Sequence, residues 1–278
     1  MNGKICLITG ATDGIGKETA IGLAKLGATI VVVGRNEAKT NAVVDDIKRI
    51  SENSNIYFLI GDLSSQKQVR AVAHQFKEQF QRLDVLVNNA GGVFSDHRTT
   101  VDGIEYTLAL NHLAYFLLTN ELIDLLKNSA PSRIINLASQ AQQGGRLDWN
   151  NLQGEKKYRP FGQYCFTKLA NIMFTYELDR RMKGSSVTVN AVHPGVVSSG
   201  FGSTLGRKMQ VLYTYMRPFM RSAAKGAETV IYLASSQETA GISGKYYFDK
   251  KQIKSQKISY DESSAKRLWQ ISEQLISN

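Results

Sequence analysis

The sequence predicts an α/β protein in which a parallel sheet is covered by helices on both faces. Short apolar runs alternate with segments of helical periodicity along almost the whole chain, as strand–helix–strand units require. A glycine-rich turn at residues 9–16 joins the first apolar run to the first helical segment. Because nothing between the units resembles a linker, we expect the 278 residues to form one domain.

Each strand is indicated by a short apolar run bounded by polar residues or glycine. The expected strands cover residues 5–8, 29–34, 56–60, 84–88, 133–137, 187–192 and 244–248. Each helix is indicated by apolar residues three or four positions apart. The expected helices begin near residue 14 and then cover about 37–51, 69–80, 101–127, 161–182, 225–235 and 268–275.

Two segments break this alternation. Residues 140–160 are polar and contain Gly144, Gly145 and Pro160, which is typical of a long loop. Residues 196–223 contain three glycines followed by an aromatic and Met-rich stretch with basic residues at both ends. This stretch fits the core or, as we favour, a flexible lid of apolar surface over a substrate. Its basic residues leave open a weak contact with a membrane surface.

Composition and charge exclude several classes of protein. The net charge of +10 suggests an anionic partner, but Lys and Arg are scattered, and no face interleaves basic and aromatic residues as a nucleic-acid site would. No stretch approaches the ~20 apolar residues of a membrane span, and no secretory signal precedes the first strand. With two cysteines and no metal-ligand spacing among four histidines, we expect a cytoplasmic protein without a metal site.

Residues 9–16 carry a signal for a bound dinucleotide. Glycines at 10, 14 and 16 allow a tight turn and a close approach of backbone to a pyrophosphate, which would then lie at a helix N-terminus. The spacing is G-x-x-x-G-x-G rather than the more common G-x-G-x-x-G. Polar or glycine residues also follow the other strands, so we expect them to line one crevice at the carboxyl edge of the sheet.

Four residues are candidates for acid–base chemistry. Tyr164 and Lys168 are four apart on one helix and therefore lie on one face. A neighbouring ammonium favours the phenolate, so we expect a lowered pKa for Tyr164, which makes it a candidate general acid or base. Ser139 adds a hydroxyl at the end of the fifth strand, and Asn111 adds an amide in the preceding long helix.

These motifs together resemble the classical short-chain dehydrogenase/reductase family. Residues 9–16 match its T-G-x-x-x-G-I-G turn, residues 88–91 its N-N-A-G motif, and residues 164–168 its Y-x-x-x-K motif. Asn111 and Ser139 occur in the expected order, and the resemblance covers essentially the whole chain. It implies a Rossmann-type fold with a seven-stranded parallel sheet in the order 3-2-1-4-5-6-7.

A long insertion at residues 145–158, before the Tyr-Lys motif, resembles the retinol dehydrogenase and WW-domain oxidoreductase branch. The sequences at 168–171, 190–197 and 244–248 resemble the same branch. The substrate class does not follow from this likeness. A retinoid is one candidate, and a generic lipophilic aldehyde or ketone is another.

The resemblance implies roles for the site residues. Tyr164 would exchange a proton with the substrate oxygen, and Ser139 would bind that oxygen. Lys168 would lower the Tyr164 pKa and hold the nicotinamide ribose. Asn111 would keep a water that links Lys168 to solvent. The expected cofactor-binding residues are Gly10, Thr12, Asp13, Gly14, Ile15, Gly16, Lys17, Arg35, Asn36, Asp62, Leu63, Asn89, Ala90, Gly91, Tyr164, Lys168, Pro194, Gly195, Val197 and Ser198.

The end of the second strand favours NADP(H) over NAD(H). An NAD-selective site places a carboxylate there, on the adenosine ribose, whereas this chain has Arg35. A guanidinium pairs well with a 2′-phosphate, and Lys17 would add a second positive charge. Glu37 is the rival carboxylate, but we expect it in the first turn of the next helix, where negative charge is favourable.

The predicted function is an NADP-dependent oxidoreductase that interconverts a carbonyl and an alcohol on a hydrophobic substrate. The alternative is a non-catalytic NADP(H)-binding regulator on the same fold, which would have lost at least one of Asn111, Ser139, Tyr164 and Lys168, and all four are present. By resemblance we also expect a homodimer or homotetramer that pairs through its long helices.

Overall fold

A mostly parallel sheet forms the centre of the protein. The structure is a computed structural model that describes residues 1–197 and 220–277. The strands are, in chain order, β1 Ile5–Thr9, β2 Thr29–Gly34, β3 Ile56–Ile60, β4 Val85–Asn88, β5 Ser132–Leu137, β6 Val187–Val192, β7 Lys245–Phe248 and β8 Lys251–Ile253. Their order across the sheet is β3-β2-β1-β4-β5-β6-β7-β8. The predicted order of the first seven strands is confirmed.

The eighth strand corrects the predicted count of seven. It is only three residues long and runs antiparallel to β7, with Phe248 opposite Lys251. The two residues between the strands, Asp249 and Lys250, both have positive φ, at 48° and 62°. This is the backbone of a tight two-residue hairpin. Since β8 is Lys-Gln-Ile rather than an apolar run, the sequence carries no strand signal there.

Helices cover both faces of the sheet. They are α1 Gly14–Lys25, α2 Glu37–Ser51, α3 Gln66–Gln79, α4 Tyr106–Leu108, α5 Ala114–Asn128, α6 Pro160–Arg181, α7 Ala223–Ser235 and α8 Glu262–Ile276. Alternate strand residues point into two separate apolar cores, since Leu7 packs in one and Ile8 in the other. The first core holds side chains of α3, α5 and α6, and the second holds those of α1, α2 and α7.

The long helix predicted over residues 101–127 is wrong at its start and is interrupted. Residues 99–105 instead form a turn closed by a bridge between Thr99 and Glu105, with Gly103 at a φ of 73°. The buried Glu105 carboxylate then caps the helix by accepting from the Thr107 and Leu108 amides at 2.7 and 2.8 Å. A π-helical turn, Ala109–Leu113, separates α4 from α5.

The C-terminal helix α8 packs on α5 and α6. Its Trp269 ring stacks on Phe174 of α6 at 5.7 Å and meets Phe116 of α5 edge-on at 4.8 Å. The helix therefore covers part of the two long helices through which the family resemblance expects subunits to pair. The homodimer or homotetramer remains a prediction.

The predicted lid, residues 196–223, falls mostly outside the described residues. Its two ends are seen: Val197 forms a bridge with Arg221, and α7 begins at Ala223. Within residues 1–197 and 220–277, no helix is long and apolar enough to cross a membrane.

Candidate active site

A cavity of about 370 Å³ opens at the carboxyl edge of the sheet. The structure brings fourteen of the predicted site residues together in its wall: Gly10, Thr12, Asp13, Gly14, Ile15, Arg35, Asp62, Leu63, Asn89, Ala90, Gly91, Tyr164, Lys168 and Pro194. In the described part of the chain, the wall does not include Gly16, Lys17, Asn36, Asn111, Ser139, Gly195 or Val197. Ser198 lies outside the described residues.

The glycine turn gives this cavity a floor of bare backbone. Gly10 has a φ of 63°, and a Cβ there would lie 2.7 Å from the Ala90 Cα. A Cβ on Gly16 would lie 2.5 Å from both the Asn89 amide nitrogen and the Gly10 carbonyl oxygen. Only glycine fits these two positions, and α1 begins directly at the cavity with Gly14. The turn therefore has the shape that a pyrophosphate at a helix N-terminus needs.

Asn89 and Thr9 fix this turn against the next strand end. The Asn89 side-chain amide donates to the carbonyls of Thr9 and Gly10 at 2.7 and 3.1 Å. In return, the Thr9 hydroxyl accepts from the backbone amides of Asn89 and Ala90. The predicted N-N-A-G segment thus holds the glycine turn through hydrogen bonds and also lines the cavity.

Two cations border the cavity where β2 ends. Arg35 and Lys39 both line it, and among the described residues neither side chain has an acidic partner. The nearby Asp62 carboxylate already accepts from the Ser64 amide and hydroxyl at 2.9 and 2.8 Å. Glu37 is the first residue of α2, in the helical turn where it was predicted. Its side chain is exposed, and it is not part of the cavity wall that the structure describes.

The structure places the predicted second cation, Lys17, outside the cavity wall. The Lys17 ammonium is paired with Asp46 of α2 at 2.9 Å and does not reach the cavity. Lys39, in the first turn of α2, lines the cavity instead. The predicted Asn36 side chain caps that helix by accepting from the Lys39 amide at 2.8 Å.

Tyr164 and Lys168 meet at the opposite end of the cavity. The Lys168 ammonium lies 5.6 Å from the centre of the Tyr164 ring and donates to the Leu137 carbonyl at 3.1 Å. Both side chains are almost completely buried. The Ser139 and Tyr164 side chains are hydrogen-bonded to each other, so Ser139 stands beside the cavity without being part of its wall.

Burial shifts both pKa values toward the neutral forms. It lowers the pKa of Lys168 to about 8. Burial likewise raises the pKa of Tyr164 to about 12, although the hydrogen bond with Ser139 acts in the opposite direction. The expected lowering of the Tyr164 pKa is therefore wrong for the protein alone. Desolvation of the phenolate by burial is the largest cause of this rise.

Asn111 does not line the cavity, and its side chain instead hydrogen-bonds to elements that do. Its side chain accepts from the Gly92 amide and donates to the Gly92 carbonyl, both at 2.9 Å, and also donates to Thr167 of α6 at 3.2 Å. Asn111 is fully buried at the centre of the π-helical turn. It thus ties that turn to the loop after β4 and to the helix that carries Tyr164 and Lys168.

Aromatic side chains that the sequence analysis did not single out form another part of the wall. Phe94 and Tyr106 line the cavity with their rings edge to face at 4.6 Å, next to Leu110. The Arg98 guanidinium lies 3.8 Å from the Tyr106 ring centre and 5.0 Å from that of Phe94. Cation–π contacts of this kind hold aromatic rings in place. No spacing in the sequence signals that these residues meet.

The long insertion at residues 145–158 supports this wall from outside. The Tyr158 hydroxyl donates to the Phe94 carbonyl at 3.2 Å and lies 3.4 Å from the Glu105 carboxylate. The same carboxylate accepts from Gln163 at 2.9 Å, one residue before Tyr164. The insertion therefore connects the aromatic wall to the start of α6.

The predicted residues after β6 separate into two groups. Pro194 lines the cavity, whereas Gly195 packs on Arg221 and has a φ of 92°. Val197 is buried and bridged to Arg221. The predicted contact of Val197 and Ser198 with the nicotinamide amide stays a prediction.

Comparisons with known proteins give the family. The sequence model described as short chain dehydrogenase matches residues 4–210. The chain therefore belongs to the short-chain dehydrogenase/reductase family and is an oxidoreductase of a family that binds nicotinamide cofactors.

Within that family it lies on the retinol dehydrogenase-like branch. It is 40% identical over 276 residues to retinol dehydrogenase 12 of Bos taurus, covering 99% of this chain and 86% of that protein. It is 41% identical over 280 residues to human retinol dehydrogenase 13, covering 99% and 85%.

Solved structures share the fold. An uncharacterised protein from Mycobacterium paratuberculosis superposes with a TM-score of 0.80 at 29% identity, covering 100% of this chain and 94% of that one. The Pseudomonas aeruginosa RhlG/NADP active-site complex superposes with a TM-score of 0.70 at 26% identity, covering 88% and 94%.

Proposed function

We propose that this protein is an NADPH-dependent reductase of a hydrophobic aldehyde or ketone, with the reverse oxidation as its back reaction. The observation that carries the proposal is the arrangement of one cavity. Two cations without acidic partners among the described residues lie at its β2 end, a glycine floor lies beside them, and the Tyr164–Lys168 pair lies at the other end. When bound, the nicotinamide supplies or takes up the hydride.

The charges at the end of β2 support NADP(H) as the cofactor. Arg35 and Lys39 would hold the 2′-phosphate, since a guanidinium and an ammonium together satisfy a doubly charged group better than either alone. The Asp62 carboxylate accepts hydrogen bonds from Ser64. We therefore expect the 2′-phosphate to contact the two cations rather than this carboxylate. The similar Pseudomonas protein was solved as a complex with NADP, which is consistent with this choice.

The residues at the other end perform the proton transfer. Because the pKa of Tyr164 is raised to about 12, its hydroxyl is protonated near neutral pH and serves as the acid that protonates the substrate oxygen. Ser139, already hydrogen-bonded to Tyr164, would hold that oxygen beside the phenol. The charge on Lys168 stabilises the tyrosinate that remains after the proton has left.

The aromatic wall supports a hydrophobic substrate. Phe94, Tyr106 and Leu110 present apolar surface to the cavity. The curated relatives at about 40% identity are retinol dehydrogenases, so a retinoid joins long-chain aldehydes and steroid ketones as a candidate. A cytoplasmic location and the lid role of residues 196–223 remain parts of the proposal.

The deciding experiment follows cofactor oxidation by absorbance, with NADPH and separately with NADH, against retinal, long-chain aldehydes, steroid ketones and quinones. We expect turnover with NADPH on at least one lipophilic carbonyl and little or none with NADH. Tight NADPH binding without turnover on any of them would instead favour the regulatory alternative. Faster turnover with NADH would contradict the assignment of Arg35 and Lys39.

Replacing Arg35 with Asp should lower the preference for NADPH over NADH by about 10–100-fold, because a hydrogen bond between charged groups contributes about 1.5–3 kcal/mol. The measurement is the ratio of kcat/KM for the two cofactors. Lys39→Ala should shift the ratio in the same direction by a smaller factor. Lys17→Ala is the matched control, since Lys17 is paired with Asp46, and it should leave the ratio unchanged. An unchanged ratio in Arg35→Asp would mean that the phosphate is bound elsewhere.

A further inference from the structure

We propose that Asn171 is a positioning residue for this reaction, because its amide holds backbone carbonyls next to Asn111 and Lys168, and that His112 helps to hold this amide by donating to its oxygen. The inference rests on the proposed function and concerns residues outside the cavity wall. Asn171 lies on α6, three residues after Lys168, and is fully buried.

The Asn171 amide joins two elements of the site. Its nitrogen donates to the Asn111 carbonyl at 2.9 Å and to the Leu137 carbonyl at 3.2 Å. The first carbonyl belongs to the π-helical turn, and the second is the group to which the Lys168 ammonium donates. One side chain therefore sets the distance between the π-helical turn, the end of β5 and Lys168.

The hydrogen-bonding partners determine which way this amide faces. A carbonyl oxygen can only accept, so the nitrogen of Asn171 must face Asn111 and Leu137, and its oxygen must face His112. The His112 Nδ1 lies 3.2 Å from that oxygen. Nδ1 must then carry the ring proton, because two acceptors would otherwise face each other.

The other ring nitrogen of His112 connects to α8. Its Nε2 lies 3.1 Å from the Ser272 hydroxyl. Phe116 and Phe174 surround the ring, and burial lowers the pKa of His112 to about 4, so the ring stays neutral near pH 7. The Ser272 hydroxyl also donates to the Leu268 carbonyl at 2.8 Å, so its proton is shared between that carbonyl and Nε2. A neutral ring that donates from Nδ1 therefore stabilises the orientation that the Asn111 and Leu137 carbonyls give the Asn171 amide.

A positioning role predicts a loss of kcat without a loss of cofactor binding. A displacement of about 1 Å at a reacting group can lower the rate about a hundredfold. Asn171→Leu removes the amide while keeping a side chain of similar size, and we expect kcat to fall about 10–100-fold. We expect the Kd for NADPH to stay close to the wild-type value, because Asn171 does not line the cavity described by the structure.

Two His112 variants distinguish a loss of positioning from a loss of stability. They also test the inference if Asn171→Leu fails to fold. His112→Asn places an amide nitrogen near the position of Nδ1, so it keeps the bond to Asn171 and loses the bond to Ser272. His112→Gln keeps the Ser272 side and loses the bond to Asn171. Both should lower the unfolding temperature, but only His112→Gln should lower kcat, with the Kd for NADPH unchanged in both.

The outcomes distinguish this inference from the proposed function. No turnover in the wild type would overturn the proposed function and this inference with it. Turnover in the wild type together with unchanged kcat in His112→Gln and Asn171→Leu would overturn only the inference. A kcat that falls equally in both His112 variants would also overturn it, since turnover would then follow stability rather than the contact with Asn171.

Discussion

Tyr164→Phe should lower kcat by about 10²–10⁴-fold, the usual contribution of a general acid or base, while NADPH still binds. The substitution removes only the hydroxyl and keeps the ring, which is 9% exposed and lines the cavity. The measurements are kcat in the direction of carbonyl reduction and the Kd for NADPH from the change in its fluorescence.

Tyr115→Phe is the matched control for this substitution. Tyr115 lies on α5, and its ring centre is 5.8 Å from the Lys168 ammonium, about as near as that of Tyr164. Its buried hydroxyl has no hydrogen-bond partner among the described residues. Removing an unsatisfied polar atom costs little, so this variant should keep normal turnover and stability. Normal turnover in both variants would show that Tyr164 is not the proton donor.

The sequence predicts the fold well because local patterns dominate in a parallel α/β protein. The strand Thr29–Gly34 and the helix Glu37–Ser51 both have the predicted bounds, since an apolar run and an amphipathic period mark them. The hairpin strand Lys251–Ile253 lacks such a pattern. Its pairing depends on positive φ at Asp249 and Lys250, and the sequence Asp-Lys does not predict positive φ at both positions.

The site is less predictable, because it depends on contacts between elements. Lys17 follows the glycine turn directly, yet Asp46 on a different helix pairs with its ammonium, and Lys39 takes its place at the cavity. Tyr164 has a cationic neighbour in the sequence, yet its burial, which only the folded chain creates, decides its pKa. Residues 168–171 resemble a known branch, yet the sequence does not indicate what Asn171 contacts, because its partners Asn111 and Leu137 are remote in sequence.

Lys168→Met should abolish most turnover and at the same time make the protein more stable near pH 7. For kcat we expect a loss of at least about a hundredfold, because Tyr164 loses the charge that stabilises its anion. Lys168 is 5% exposed, and burial lowers its pKa from 10.5 to about 8, so the folded state binds this proton less tightly than the unfolded state does. Keeping the ammonium charged at pH 7 therefore costs stability, on the order of 1–3 kcal/mol.

Removing the ammonium leaves no buried acceptor without a partner, because the Leu137 carbonyl still accepts from Asn171 at 3.2 Å. Methionine also fills much of the space of the lysine stem. The substitution should therefore raise the free energy of unfolding at pH 7 rather than lower it. Lys266→Met, on the exposed side of α8, is the control and should change neither turnover nor stability.

The pH dependence of the unfolding free energy is a second test of whether Lys168→Met stabilises the protein. Between pH 8 and 10.5 the folded wild type has released the Lys168 proton while the unfolded chain still holds it, so wild-type stability rises with pH in this window. The advantage of Lys168→Met should accordingly shrink as the pH approaches 10, as measured by urea unfolding at several pH values. A variant that is less stable at every pH would mean that Lys168 stabilises the fold, whereas a gain in stability with lost turnover would mean that the buried charge is kept for the reaction.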